Sequence, residues 1–382
     1  MKSFFIIHYY NFFALIDKQF SRYYQLVLQT IIQSFPVLLI ILFAPHTSCS
    51  QVKEEITPIT EIHALRKDTV FKIQDRDFVD MMIKDSLLIL IANKDSLYFH
   101  VFSKTTLNPI INFAKKGNAE FEFNYRPLFL KQHYENKNYF EVFDLFSIKK
   151  INIKNILDEN NIAGEIKSDR QNEDLTFSRE ILRLDSNFFT GTSLNRSEGL
   201  FYIYDIKNRN KKWINFNPKL KINKKYYDSV YYGLIEVSPD SEKIVYCPRF
   251  FNRILFFNRD GELIKTLNFS KTKTPTIEKK YLGVSNEETI YSYQTYRTSN
   301  FIYVLRPLRS LDDLIGNVSP IKVQVLCLTW DGNISDVYEI DLTTMPTLFC
   351  IDEENKKILF HTPLDSYLSN DVISEISIYE FE

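Results

Sequence analysis

The sequence predicts an all-β protein: a six-bladed β-propeller of four-stranded antiparallel blades, preceded by an N-terminal signal segment. Aromatic residues make up 15% of the 382-residue chain, with 32 Phe and 23 Tyr, and such residues favour strands over helices. After the first 68 residues, short apolar runs alternate with polar turns, and no long segment has a helical period. A polar turn followed by a hydrophobic strand recurs about every 53 residues, a length typical of a four-stranded unit with its loops.

The first 49 residues form the predicted signal segment. Lys18 and Arg22 give it a positive side, and the apolar run Val37–Ala44 leads to a boundary of small residues before Cys49. This order of charge, apolar core and small residues is typical of a secretory signal. Polar residues and Pro36 interrupt the longer apolar stretch, so it is a poor permanent membrane span.

The end of this segment resembles the lipobox of bacterial lipoproteins, in which a cysteine follows small residues. The resemblance implies that Cys49 is the site of lipid attachment and the first residue of the mature chain. One departure is His46, which occupies a position where that family has an apolar residue. Residues 50–68 are then a short polar tether. A signal-anchor helix and cleavage without lipidation are the alternatives.

Six copies of the turn-and-strand unit cover the remainder of the chain, residues 69–382. They begin, in order, at Asp85, Asn136, Asp185, Asp240, Asn286 and Asp352. A second unit, two strands joined by a tight turn, follows most copies, and two of its turns are Asp260-Gly261 and Asp331-Gly332. Asp-Gly between apolar strands is a strong hairpin signal, because the turn needs positive φ. These aspartates are therefore assigned to turns and not to catalysis.

The two ends of the propeller domain are predicted to meet in one blade. The domain starts with a single strand, Thr69–Ile73, and ends with another, Ile373–Phe381. If the first strand completes the last blade, the ring has no open edge and both termini are held together. Two β-sandwiches would also give alternating strands, but the equal repeats favour the propeller.

Two short motifs resemble the TolB-like six-bladed β-propeller lipoproteins of Gram-negative bacteria. The segment Ser238–Tyr246 is similar to the SPDG-type blade motif of that family, with Ser241 in place of the usual Gly. The segment Gly117–Phe121, followed by Arg126-Pro127, is similar to the family's G-x-G-P-x-E-F…P stretch but lacks its central Gly-Pro. The resemblance covers roughly residues 71–382. It implies an envelope lipoprotein with a binding or scaffolding role.

The sequence contains no motif for catalysis, for a metal or for a cofactor. G-x-S-x-G, H-E-x-x-H and P-loop patterns are absent, and we expect no metal and no cofactor. The histidines after residue 49 are not spaced as metal ligands; they are His63, His100, His133 and His361. Cys327 and Cys350 lie in apolar runs and are predicted to be buried in strands. Glu120 and Arg126, at the crossing from blade one to blade two, are the candidate rim or structural pair.

These observations predict a non-catalytic cell-envelope lipoprotein whose propeller is a binding or scaffold module. The chain has 47 basic and 48 acidic residues, so it lacks the basic footprint of a nucleic-acid-binding protein. The expected partners are an unknown protein, peptide or glycan, and a membrane to which the lipid anchor attaches the protein. The expected location is the cell envelope, in the outer membrane or periplasm. The alternative is a propeller enzyme, a lyase or hydrolase acting on envelope or extracellular glycans. His, Arg and carboxylates around the central channel would favour the enzyme, whereas Tyr and Phe would favour the binder.

Overall fold

The computed structural model describes residues 55–381 with short gaps. The gaps are residues 75–76, 94–95, 120, 131–137, 145–146, 160–164, 171–172, 177, 194–197, 279–282, 317–319 and 365–372. The predicted signal segment with Cys49, and also Glu120 and His133, lie outside the described residues.

The predicted six-bladed propeller is confirmed. Two strands precede the first blade, β1 (His63–Ala64) and β2 (Arg66–Gln74). Blades one to three each consist of four consecutive antiparallel strands. Blade one contains β3 (Phe78–Lys84), β4 (Leu87–Ala92), β5 (Leu97–Ser103) and β6 (Pro109–Lys115). Blade two contains β7 (Leu128–Phe129), β8 (Tyr139–Phe143), β9 (Ser147–Asn152) and β10 (Ile166–Arg170). Blade three contains β11 (Ser178–Arg183), β12 (Phe188–Ser193), β13 (Tyr202–Asp205) and β14 (Asn210–Trp213).

Blade four has the same order, and short strands follow it before blade five begins. Blade four contains β15 (Gly233–Val237), β16 (Lys243–Pro248), β17 (Arg253–Asn258) and β18 (Leu263–Asn268). The short strands are β19 (Ile277–Glu278), β20 (Gly283–Val284) and β21 (Thr289–Ile290). Blade five contains β22 (Gln294–Arg297), β23 (Phe301–Arg306), β25 (Ile321–Thr329) and β26 (Ile334–Leu342), with the short β24 (Arg309–Ser310) inserted. Blade six contains β27 (Leu348–Asp352), β28 (Lys357–Leu364) and β29 (Ile373–Glu380).

Helical segments are short and lie in the connections. They are α1 (Ile153–Glu159), α2 (Tyr227–Val230) and α3 (Leu311–Ile315), with 3-10 turns at Glu173–Leu175 and Lys224–Tyr226. Within the described ranges, no helix has both the length and the apolarity that crossing a membrane requires.

The ring closes as the sequence predicts. Strand β2 pairs antiparallel with β29, with Phe71 opposite Ile376, and so becomes the fourth strand of blade six. The pairing begins at Arg66. Farther upstream, Ile56 bridges to β18 of blade four, and β1 pairs parallel with β26 of blade five. The segment from residue 55 to residue 74 therefore runs along the outer edges of three successive blades and pairs backbone groups that an open edge would expose.

The tight turns adopt the backbone conformation that their residues predict. Gly261 and Gly332 have φ of 81° and 70°, which is the left-handed region that Asp-Gly hairpins require. In the turns between the first two strands of a blade, Asp85 and Ser241 also have positive φ, at 51° and 61°. The strands that follow them, β4 and β16, start where the repeat predicts.

The fifth copy of the repeat was placed wrongly. The strand after Asn286, β21, pairs with β24 and belongs to no blade. The corresponding turn of blade five is Thr298–Asn300, between β22 and β23. The error has a physical origin: the connection from β18 to β22 is long and contains its own polar turn and short strands, which imitate the repeat.

The core consists of separate clusters where neighbouring blades pack. Phe99 of blade one and Phe140 of blade two meet edge to face, with ring centroids 5.7 Å apart. Three cysteines, Cys247, Cys327 and Cys350, also belong to this buried core. They are reduced and almost fully buried within strands, as predicted for the last two. The blades are thus held by apolar contact on their flanks, which leaves their first strands to line the centre.

Candidate functional site

The first strand of every blade lines a central cavity of about 260 Å³. Its wall includes residues of β3, β7, β11, β15, β22 and the start of β27. The first strands all begin at one end of the ring, and their hairpin turns lie at the other. We call the first end the channel mouth and define it by four side chains. Arg179, Tyr232 and Tyr293 line the cavity, and Arg249 contacts both tyrosines.

The four mouth residues stack on one another across three blades. The guanidinium carbon of Arg179, in β11, lies 4.0 Å from the ring centroid of Tyr232, which immediately precedes β15. Arg249 follows β16, and its guanidinium carbon lies 5.0 Å from the Tyr232 centroid and 5.2 Å from that of Tyr293, which precedes β22. Cation–π attraction holds such planar groups in place. The mouth is therefore a ladder of alternating cations and phenol rings.

Backbone hydrogen bonds fix Arg249 between the two tyrosines. Its amide donates to the carbonyl of Tyr232 at 2.8 Å, and its carbonyl accepts from the amide of Tyr291 at 2.8 Å. The side chain is thus placed by both neighbouring strand starts. Burial raises the pKa of the nearby Tyr293 phenol, and the Arg249 charge offsets part of that rise. Tyr293 is neutral at physiological pH and can donate a hydrogen bond.

The two arginines have no acidic partner among the described residues. Neither guanidinium forms an ion pair or a hydrogen bond with a described side chain, and the Nε of Arg249 is buried without an acceptor in that part of the chain. A buried charged donor without an acceptor is costly. The mouth therefore presents two cationic donors that an anionic ligand could satisfy.

The carboxylates inside the cavity are engaged in holding neighbouring blades together. Asp80 accepts hydrogen bonds from the amides of Met81 and Phe129, both at 2.9 Å. Glu180 accepts from the amide of Ile235 at 3.2 Å. In each case the acceptor lies in one blade and a donor lies in the first strand of the next. These hydrogen bonds join neighbouring blades and so stabilise the ring.

A third carboxylate, Glu236, is held in the same way. It accepts a hydrogen bond from the hydroxyl of Thr295 at 2.7 Å, and its other oxygen lies 3.8 Å from the Nε of Arg297. Arg297 in turn donates to the carbonyl of Val237 at 2.7 Å. Glu236 and Arg297 are each at most 5% exposed. This charge pair joins blades four and five.

The opposite end of the ring contains a buried ion pair. The Nζ of Lys104 lies 3.0 Å from Asp352 and 3.2 Å from Glu354. Burial alone would lower the pKa of Lys104, but the hydrogen bonds to the two carboxylates outweigh it and the pKa is raised. Because Lys104 belongs to blade one and Asp352 to blade six, the pair joins the first and last blades of the ring.

The sequence-predicted pair of Glu120 and Arg126 is described only in part. Arg126 lies in the crossing from blade one to blade two, on the same side as the channel mouth, and donates to the Oδ1 of Asn93 at 2.6 Å. Asn93 donates to Asp77 at 2.9 Å. Glu120 lies outside the described residues, so its pairing with Arg126 stays a prediction.

Of the described histidines, His63 is exposed and the other two are buried in strands. His100 is fully buried in β5, with its Nε2 3.1 Å from the carbonyl of Leu97. His361 is fully buried in β28, and its Nδ1 lies 2.9 Å from the hydroxyl of Thr347. Across the described part of the chain, no group of three or more His, Cys, Asp or Glu side chains is arranged to hold a metal ion.

Sequence reasoning did not find the four mouth residues. Arg179 and Tyr293 are more than a hundred positions apart, and no local motif connects them. A signal exists once the blades are aligned: Tyr232 and Tyr293 both immediately precede the first strand of a blade, and Arg249 immediately follows a second strand. Tyr232 and Tyr293 match the expectation for a binding propeller. Arg179 and the carboxylates also line the cavity, and these are groups that the sequence analysis expected of an enzyme.

Comparison with known proteins identifies the fold and no family. No family model matches the sequence, and no curated protein matches it. A crystal structure of a member of the DUF4221 family from Bacteroides vulgatus is similar, with a TM-score of 0.55 and 12% sequence identity. The match covers 83% of this chain and 98% of that one. At this identity the likeness extends to the fold alone, and the TolB-like resemblance stays a prediction.

Proposed function

We propose that this protein is a non-catalytic binding module that takes its ligand at the channel mouth. The observation that carries the proposal is the ladder of four residues in which Arg179, Tyr232 and Tyr293 line the central cavity and Arg249 contacts both tyrosines. Tyr and Arg are the residue types that most often dominate binding energy at interfaces, because they combine large contact area with polar donors. The mouth combines both with an open cavity.

The cavity carboxylates bear on the choice between binding and turnover. An enzyme acting on glycans by acid–base chemistry needs carboxyl groups that exchange protons with the substrate. Asp80, Glu180 and Glu236 each accept a hydrogen bond from the adjacent blade, which gives them a structural role. The described residues that line the cavity include no histidine. The lyase or hydrolase stays the alternative, and Arg179 and these carboxylates are the groups that support it.

The proposal also includes an address in the cell envelope, in the outer membrane or periplasm, through a lipid on Cys49. The lipobox-like ending and the TolB-like motifs support it. Metabolic labelling with a fatty-acid analogue tests it: the wild-type protein should be labelled and Cys49→Ala should not. Cys247→Ala, which removes a buried thiol, is the matched control and should keep its label. Equal labelling of wild type and Cys49→Ala would rule out this anchor.

Binding is tested with a panel of acidic and neutral glycans, peptides and esters, with binding and product formation measured on the same samples. Saturable binding without product is expected. Tyr232→Ala and Tyr293→Ala should each weaken binding at least about tenfold, since each removes a ring that holds the Arg249 guanidinium in place. Tyr139→Ala is the matched control, because Tyr139 also stacks on a cation, Lys150 at 4.5 Å, but lies away from the mouth.

Two results would contradict the proposal. One is product formation that is lost in Glu180→Gln or Glu236→Gln, since it would make these carboxylates catalytic. The other is saturable binding that the two mouth variants leave unchanged, since it would place the ligand elsewhere. Melting temperatures of all variants separate loss of binding from loss of folding.

A further inference from the structure

We infer that the channel mouth is a clamp for one anionic group, a carboxylate or a phosphate, on a ligand about the size of a single sugar ring. The inference rests on the proposed function and names the ligand class for the same site. It is carried by the state of the two arginines, by the way the tyrosines hold them and by the size and lining of the cavity behind them.

The arginines are the first argument. Arg179 and Arg249 are both half-buried and have no acidic partner among the described residues. Guanidinium groups bind carboxylates and phosphates through two parallel hydrogen bonds, which are stronger than bonds between neutral groups. The Nε of Arg249 is buried without an acceptor in the described chain, so an anion would bind the terminal nitrogens of this guanidinium. An anion at the mouth would therefore satisfy donors that the protein leaves open.

The tyrosines are the second argument. Tyr232 contacts both guanidinium groups, and Tyr293 contacts that of Arg249. Stacking restricts the planar groups before any ligand arrives, so less side-chain entropy is lost on binding. Since the guanidinium groups already occupy the Tyr232 ring, that ring positions the arginines and is not itself the platform for a sugar face.

The cavity is the third argument. Its volume of about 260 Å³ is below the range typical of drug-sized ligands, so it accepts one ring or the end of a longer chain. Polar side chains such as Gln294 and Thr295 line it together with apolar ones such as Leu234. A sugar ring has hydroxyl groups for the first and C–H faces for the second. Glu180 and Glu236 in the wall disfavour a second negative charge deep in the cavity, so the single anionic group belongs at the mouth.

Three sugars that share one ring and differ only at carbon 6 test the inference on the full-length protein. They are galactose, which is neutral, galacturonate, which has a carboxylate, and galactose 6-phosphate. Ligand-observed NMR titration gives the dissociation constant of each. We expect at least one of the two anionic sugars to bind at least tenfold more tightly than galactose. A preference between the two identifies whether the clamp takes a carboxylate or a phosphate.

Arginine variants locate the effect. Arg179→Gln and Arg249→Gln should each reduce the preference for the anionic sugar at least tenfold, and Arg249→Lys should reduce it less, because it keeps the charge and loses the fork. Arg209→Gln is the matched control: Arg209 is an exposed arginine in the β13–β14 turn, at the opposite end of the blade, and its variant should bind like wild type. Arg249→Lys also keeps the test open if a glutamine variant does not fold.

Each other outcome overturns the inference and separates it from the proposed function. The anion clamp is wrong if galactose binds as tightly as both anionic sugars and the arginine variants leave all three dissociation constants unchanged. In that case, loss of binding in Tyr232→Ala would still show that the mouth is a binding site. If none of the three sugars binds at millimolar concentration, the clamp is also wrong, and the wider ligand panel then decides whether the protein binds anything at its mouth.

Discussion

Acidification should destabilise the protein through one buried histidine, His361. Its ring is fully buried and packs edge to face against Phe78, with centroids 5.5 Å apart. Its Nδ1 bonds with Thr347, and its Nε2 has no hydrogen-bond partner among the described residues. A proton added at Nε2 would place a charge in this apolar contact between blades six and one. Burial therefore lowers the pKa of His361 to about 4, and the charge of Asp77 offsets only part of that effect.

The size of the effect follows from proton linkage. The unfolded chain binds a proton on this histidine near pH 6.5, whereas the folded protein does so only near pH 4. Between these values the unfolded state holds more protons, so the free energy of unfolding falls as the pH falls. Each pH unit across this window contributes about 1.4 kcal/mol, which gives a total loss of about 3 kcal/mol for His361. Above pH 6.5 the contribution is fully present and constant.

Urea unfolding at pH 7.0, 5.5 and 4.5 measures the contribution of His361 to the free energy of unfolding. His361→Gln cannot titrate, so its unfolding free energy should fall less steeply with decreasing pH than that of the wild-type protein. Comparing the two curves removes the contributions of carboxylates that both proteins share. His63→Gln, at an exposed histidine, is the control and should follow the wild-type curve. If His361→Gln and wild type lose stability in parallel from pH 7.0 to 4.5, the reasoning about His361 is refuted.

Two further predictions concern the closure of the ring. Lys104→Met leaves Asp352 buried without its cation and should lower the unfolding free energy by about 3 kcal/mol in urea titrations. The control Lys322→Met, at an exposed ion pair, should change it by less than about 1 kcal/mol. Equal effects of the two variants would contradict the importance of burial. A chain that starts at Leu65 keeps β2 and should melt close to the wild-type temperature. A chain that starts at Arg76 lacks β2, exposes the edge of β29 and should melt at a far lower temperature. Equal melting temperatures for the two chains would exclude β2 as the closing strand.

Much of the fold could be predicted because the information is local. Gly261 and Gly332 mark hairpins through a backbone requirement that two adjacent residues express. The closing strand could be predicted from a single unpaired strand at each end of a regular repeat. The misplaced fifth copy at Asn286 shows the limit: the insertion before β22 contains the same polar-turn-and-strand pattern, and only pairing in space distinguishes the two.

The candidate site could not be predicted because its information is not local. Arg179, Tyr232, Arg249 and Tyr293 come from three blades and meet only after the ring closes. The same holds for the carboxylates: Glu180 and Glu236 have hydrogen-bond partners in the next blade, and only the assembled ring shows these partners. A propeller places its site where its repeats converge, so a search within each repeat cannot reveal it.

A crystal structure of the protein bound to galacturonate or galactose 6-phosphate tests the central claim most directly. The account predicts an intact ligand at the channel mouth, with its anionic oxygens within hydrogen-bond distance of Arg179 or Arg249 and its ring in the cavity behind them. Density for the ligand at the opposite end of the ring, near Asp352, or a ligand chemically altered at the mouth, would contradict it.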